Sequence, residues 1–413
     1  MKSRGERQWS RRTDWTPAET PWARTLERMR LSRARLWDLT ASNPTECGFL
    51  YPESLLAPLA DPRALRYDPD PRGLRSAREA VSRYYRDHGA QVDPDRIFLT
   101  TGSSEAYSFL FRLLCDPGDE ALIAQPGYPL LDVLAGMEDV RLTAYHLLRE
   151  EGGERNWILD LEAVRRRITS RTRMLILVHP NNPTGHFTSP EERAMLESLC
   201  RETGLALVVD EVFLDYSLRD YSLRPSEGAP GLSFATGEHP APVFVISGLS
   251  KIAGLPQMKA GWLLCLGEEG QVGQALERLE VIADSFLSQN APVQCAMPQW
   301  LAGRRNIQEQ ILQRLRENLA ILDAELARQK TISRLPVEAG WYAVLRIPAL
   351  RPAEEAALDL LVRAGVAVYP GSFFGFAGDG WFVVSLLPRT PDFAAGIKAI
   401  SCYFNDLKVE PRE

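Results

Sequence analysis

The feature that most restricts what this chain can fold into is a set of short, unbroken apolar runs: Met174 to Val178, Ala206 to Asp210 and Val243 to Ser247. They are rich in Val, Leu and Ile and lack polar alternation, as expected of strands covered on both faces in a largely parallel sheet. Ile97 to Thr100 and Ala121 to Ala124 read the same way, with helical patterns at Ser103 to Cys115 and Tyr128 to Met137. Strands and helices in alternation imply an α/β domain. Beyond about residue 268 the texture changes. Long helical patterns at Gly270 to Leu287 and Arg304 to Gln329 are followed by short strands near Tyr342 to Ile347, Val366 to Tyr369 and Phe382 to Leu386. Helices at Ala353 to Arg363 and Phe393 to Phe404 complete an α+β segment. Asn290-Ala291-Pro292 is a helix break, since the residue before a proline disfavours the α region. The expected division is a large α/β domain over 41–290 and a smaller α+β domain built from 1–40 plus 291–413.

The apolar runs end in chemically useful residues. Open α/β sheets bind ligands at the carboxyl ends of their strands. There the chain places Ser247-Gly248-Leu249-Ser250-Lys251, with Lys259-Ala260-Gly261 eight residues beyond the first lysine. Of the 48 basic residues 42 are Arg and six are Lys, so two lysines in one small-residue loop are unusual for this chain. Lys251 can form a Schiff base with a carbonyl, and Lys259 can neutralise an anion. His179-Pro180-Asn181-Asn182-Pro183-Thr184-Gly185 follows a second strand and offers the Asn182 amide to a ligand. Asp210, at the end of a third, is poorly solvated without a cationic partner such as a ring nitrogen. Thr101-Gly102-Ser103-Ser104 joins a strand to a helix, and free N–H groups at a helix start suit a phosphate. Tyr128, after another strand, is placed to stack on a ring or to pack in the core.

Composition narrows the classes. A net charge of −6 provides no whole-chain basic field for nucleic acid or anionic membranes. The six cysteines are scattered, with no CxxC pair, so neither a metal site nor a disulfide framework is expected, and a reducing compartment suits them better. No apolar run is long enough to span a bilayer. The Arg-rich segment Met1 to Arg35 lacks the apolar region of a signal peptide and is read as an arm followed by an amphipathic helix. A cytoplasmic location is the expectation.

A phosphate cup, a stacking aromatic, a donor Asn, an acceptor Asp and a carbonyl-reactive Lys suit pyridoxal 5'-phosphate. In their order and spacing these motifs resemble the class I/II aminotransferases of the aspartate aminotransferase superfamily, over nearly the whole chain. The resemblance implies the fold type I architecture: a mostly parallel seven-stranded sheet flanked by helices, plus the smaller α+β domain. It implies that Lys251 carries the Schiff base and moves protons, Asp210 pairs with the pyridine nitrogen, and Asn182 donates to the ring 3-oxygen. It also implies that Tyr128 stacks on the ring, while Gly102, Ser103, Ser104 and Lys259 hold the phosphate. Tyr67, in Tyr67-Asp68-Pro69-Asp70-Pro71-Arg72-Gly73, matches a tyrosine that reaches the neighbouring subunit's phosphate, which implies a homodimer. Asn43-Pro44 matches a loop bordering the substrate.

Three departures bear on function. Phe213 replaces the family's Tyr three residues after the Asp, with Tyr216 three further on. Lys259 replaces an Arg and cannot form a bidentate fork. Val383 stands where the family clamps the substrate carboxylate with Arg, and the nearest arginine, Arg389, is a candidate substitute. The reading is an aminotransferase moving an amino group between an amino acid and a 2-oxo acid. The alternatives are a decarboxylase or β-lyase on the same cofactor, or a cofactor-binding regulator without turnover.

Overall fold

The computed structural model describes residues 9–14, 19–32, 34–149, 157–218, 233–287 and 289–406. The strands in chain order are β1 (Trp37–Asp38), β2 (Ile97–Thr100), β3 (Glu120–Gln125), β4 (Arg141–Arg149), β5 (Trp157–Leu159), β6 (Thr172–Val178) and β7 (Ala206–Asp210). They continue with β8 (Val243–Gly248), β9 (Gly261–Leu266), β10 (Ser333–Arg334), β11 (Tyr342–Arg346), β12 (Val366–Ala367), β13 (Tyr369–Pro370) and β14 (Trp381–Ser385).

One sheet has the order β2-β9-β8-β7-β6-β3-β4-β5. It has eight strands, one more than the seven expected, because the short β5 adds antiparallel to the β4 edge. Strands β8, β7, β6, β3 and β4 run parallel, and β9 runs antiparallel between β8 and β2. The two reversals around β9 cancel, so β2 points the same way as β8. The carboxyl ends of β2, β3, β6, β7 and β8 therefore share one edge.

The unbroken apolar runs are explained by burial on both faces. Leu175, Leu177, Leu207, Val209, Val243 and Val245 enter one core cluster. Their neighbours Met174, Ile176, Val208, Phe244 and Ile246 enter a second, under the helices Ser103–Leu114 and Glu269–Phe286. The helix Ala291–Gly303 packs into the first cluster through Val293, Met297 and Trp300. It thus lies with the large sheet, although the expected division put it beyond residue 290. Its start is as the sequence suggested: Asn290 Oδ1 accepts from Val293 N–H at 3.0 Å.

The second sheet, β10-β11-β14-β13, is antiparallel. Its far face packs in a third cluster with Phe393 and Ile397 of the last helix and with Trp22 and Leu26 of the helix Pro21–Leu31. The N-terminal segment is tied in further by β1, which pairs parallel with β12.

Candidate active site

At the shared strand edge lies a cavity of about 380 Å³, bounded by β6, β7 and β8 ends, the start of the helix Ser103–Leu114, and residues of the second sheet. Lys251, Asp210, Asn182, Ser103, Ser104 and Tyr128 all line it.

Asp210 is the last residue of β7. Its Oδ1 accepts from the Val212 N–H and its Oδ2 from the Tyr107 hydroxyl, both at 3.1 Å. Burial still raises its pKa to about 6, against the lowering effects of those two bonds and of Lys251. Tyr107 was not foreseen. Its signal was positional, one turn after Ser103 and so on the same face of a helix whose start was already a candidate.

Lys251 sits in the short helical turn Leu249–Ile252 directly after β8. Its amine lies 4.8 Å from the Trp341 ring centre and 5.8 Å from that of Phe213. Burial lowers its pKa to about 8, with Asp210 pulling the other way. A buried amine poised near neutrality is the state a carbonyl-reactive lysine needs. Trp341 comes from the turn before β11, 90 residues away in the chain from Lys251, and no local pattern announced it. Tyr216 makes an edge contact with Trp341, and its hydroxyl donates to the Lys251 backbone carbonyl at 2.6 Å. That hydroxyl is committed to the backbone, and Phe213 is the residue facing the cavity.

The cup is built by close approach of backbones. A Cβ on Gly261 would lie 2.8 Å from Gly102 Cα, and one on Gly248 2.9 Å from the Ala260 carbonyl oxygen. Gly102 caps the helix start without a side-chain bond, so Ser103 and Ser104 present their backbone N–H groups to the cavity end. Asn182 is buried, and its Oδ1 has no protein partner. An uncapped helix start, a carboxylate raised by burial and an amine lowered by it fit the phosphate, ring nitrogen and aldehyde of pyridoxal phosphate in turn.

Other expected residues lie apart. Lys259 is exposed, adopts a left-handed conformation with φ 50°, and is not in the cavity wall, although Gly261 two residues on abuts Gly102. Asn43 is bound into its own turn, its Oδ1 accepting from the Thr45 hydroxyl at 2.9 Å, while its neighbour Ser42 reaches the cavity. Arg389 is exposed, with its guanidinium over Gly48, and does not line the cavity. As a candidate substrate residue it is displaced because the turn after β14 carries it over Gly48. Val383 is wholly buried in β14 between Val344 and Tyr369. Tyr67 is 75% exposed in a groove shared with Leu287.

This fold is that of the aminotransferases. Alanine aminotransferase from Pyrococcus furiosus superposes with a TM-score of 0.84 at 24% identity, covering 97% of this chain and all of that one. Residues 53–392 match the family Aminotransferase class I and II, and the chain belongs to that family. The alanine aminotransferase of Mycobacterium bovis is 30% identical over 376 residues, covering 89% of this chain and 85% of the relative. The glutamate-pyruvate aminotransferase of Escherichia coli is 27% identical over 398 residues, covering 93% and 94%. The family uses pyridoxal phosphate and transfers an amino group between an amino acid and a 2-oxo acid. Among the described residues no helix is long and apolar enough to cross a membrane, and no cluster of His, Cys, Asp and Glu could hold a metal ion.

Proposed function

We propose that this chain acts as a homodimeric aminotransferase with pyridoxal 5'-phosphate in the cavity beside Lys251. The observation that carries the reading is the pairing in one cavity of the buried Lys251 amine, lowered to about 8, with the buried Asp210 carboxylate, raised to about 6. When bound, the cofactor supplies the electron sink that transamination requires.

The residues divide the remaining work. Lys251 Nζ would be the attachment atom and, as a free amine, would carry the proton from the substrate α-carbon to the cofactor's aldehyde carbon. Asp210, oriented by Tyr107 and the Val212 N–H, holds a proton on the ring nitrogen. Asn182 donates to the ring 3-oxygen, and Tyr128 covers a ring face. Gly102, Ser103 and Ser104 hold the phosphate by backbone N–H groups, with Lys259 adding positive charge from the rim. Tyr67 of the partner subunit completes that end. Trp341 and Phe213 keep water from the Lys251 amine.

The test is covalent. After borohydride reduction, peptide mass mapping is expected to find the cofactor on Lys251 of the wild type and on no lysine of Lys251→Ala. A reduced adduct on another lysine in that variant would overturn the assignment.

A further inference from the structure

We infer that the site selects amino donors and 2-oxo acid acceptors with apolar or aromatic side chains and a single carboxylate, and rejects dicarboxylates. The inference rests on the aminotransferase reading of the cavity and deepens it.

Beyond the cofactor-facing residues, the cavity wall is largely apolar and aromatic, with Leu134, Tyr342, Tyr369, Phe373 and Phe374. Among the described residues lining it, Asp210 and Lys251 are the two that carry charge near neutral pH, and both are committed to the cofactor. The strand position at which the family places its carboxylate-binding arginine holds Val383, buried in the sheet, and Arg389 packs over Gly48. The α-carboxylate therefore meets the neutral Ser42 and Tyr342 hydroxyls, which bond to each other.

Among the described residues lining the cavity, a second carboxylate meets no cation. Aromatic rings present their negative faces to a ligand lying against them, and an anion among them is both desolvated and repelled. An apolar side chain in the same place is desolvated favourably and can stack edge to face. Donor and acceptor occupy the cavity in turn, so the restriction applies to both halves of the reaction.

The test uses the holoenzyme and two readouts. Titration calorimetry compares 3-phenylpropanoate with glutarate, which bind without reacting. Steady-state kinetics compares phenylalanine and leucine with glutamate and aspartate, each with phenylpyruvate and with 2-oxoglutarate as acceptor. Tenfold or greater preference for 3-phenylpropanoate over glutarate, with a matching preference in kcat/KM, is expected. Equal or tighter binding of glutarate, or glutamate as the best donor, would overturn the inference while leaving aminotransfer intact, and would mean that a cation reaches the cavity from the partner subunit. No conversion of any donor, with 3-phenylpropanoate still preferred, would instead overturn the reaction and support the cavity's selectivity.

Discussion

Lys251 and Asp210 are held in protonation states that folding makes costly. Between about pH 8, where the folded amine titrates, and its unfolded value of 10.5, the unfolded chain binds more protons than the folded one. Stability of the cofactor-free protein therefore rises with pH across that window, by an amount on the order of 3 kcal/mol. Lys251→Met is expected to flatten this rise in urea unfolding between pH 8 and 10, and to be more stable than wild type at pH 7. A slope retained in the variant would assign it to another group. Phe213 allows a second test. It faces the cavity where the family has a hydroxyl, and Tyr216 is occupied by the Lys251 carbonyl. Phe213→Tyr would add a donor to the ring 3-oxygen and weaken that oxygen's hold on the proton at Lys251 Nζ. The spectrophotometric midpoint of the holoenzyme is expected to fall. Superimposable titrations would mean that another donor already serves.

The elements that carry these residues are anchored by their ends. The loop bearing Asn182 is closed by the helix Pro190–Thr203, which starts with a complete capping box. Ser189 Oγ accepts from the Glu192 N–H at 3.2 Å, and Glu192 Oε2 accepts from the Ser189 N–H at 2.7 Å. Glu192 Oε1 also accepts from the Leu159 N–H at 2.8 Å, tying β5 to the same helix start. Ser189→Ala removes one cap bond and is expected to cost about 1 kcal/mol in unfolding free energy. Glu192→Ala leaves several buried donors unpartnered and is expected to cost more, about 2–4 kcal/mol. Equal costs would show that the serine, not the glutamate, secures the loop. The sequence read the Ser103 and Ala353 helices closely but missed β9, although Gly261–Leu266 is an unbroken apolar run. The lysine-bearing small-residue stretch drew Gly261 into a loop, when Gly261 is where the strand begins.

At the scale of the molecule, several large apolar side chains remain on the surface. Leu65 is 91% exposed, and Tyr67 and Leu287 line one groove. In the proposed homodimer, these side chains are expected to lie between the subunits. Sedimentation equilibrium is expected to give twice the chain mass. Leu65→Glu should shift the protein toward monomer and lower cofactor affinity at the same protein concentration. Monomer with full cofactor affinity would show that each subunit completes its own phosphate site.

What the sequence determined by itself was the sheet and the chemistry at its edge. Strands buried on both faces must be continuously apolar, so Val178 and Asp210 were legible as strand ends, Ser247 fell one residue short of the third, and Asn182 and Lys251 were legible as edge residues. Parallel strands bring their carboxyl ends together whatever lies between them, and so these residues had to meet. Tertiary structure decided what surrounds them. Tyr342 and Tyr369 reach the cavity from the second sheet, Trp341 packs beside the Lys251 amine, and Arg389 is carried away from the cavity to Gly48. Those contacts join segments far apart in the chain through packing, and packing has no period from which it can be read. The same holds for Lys259, which is exposed and outside the cavity wall although Gly261 two residues on abuts Gly102. The residue types pointed to the cofactor and the family resemblance to the reaction, and the packing of the two sheets shaped the room left for a substrate.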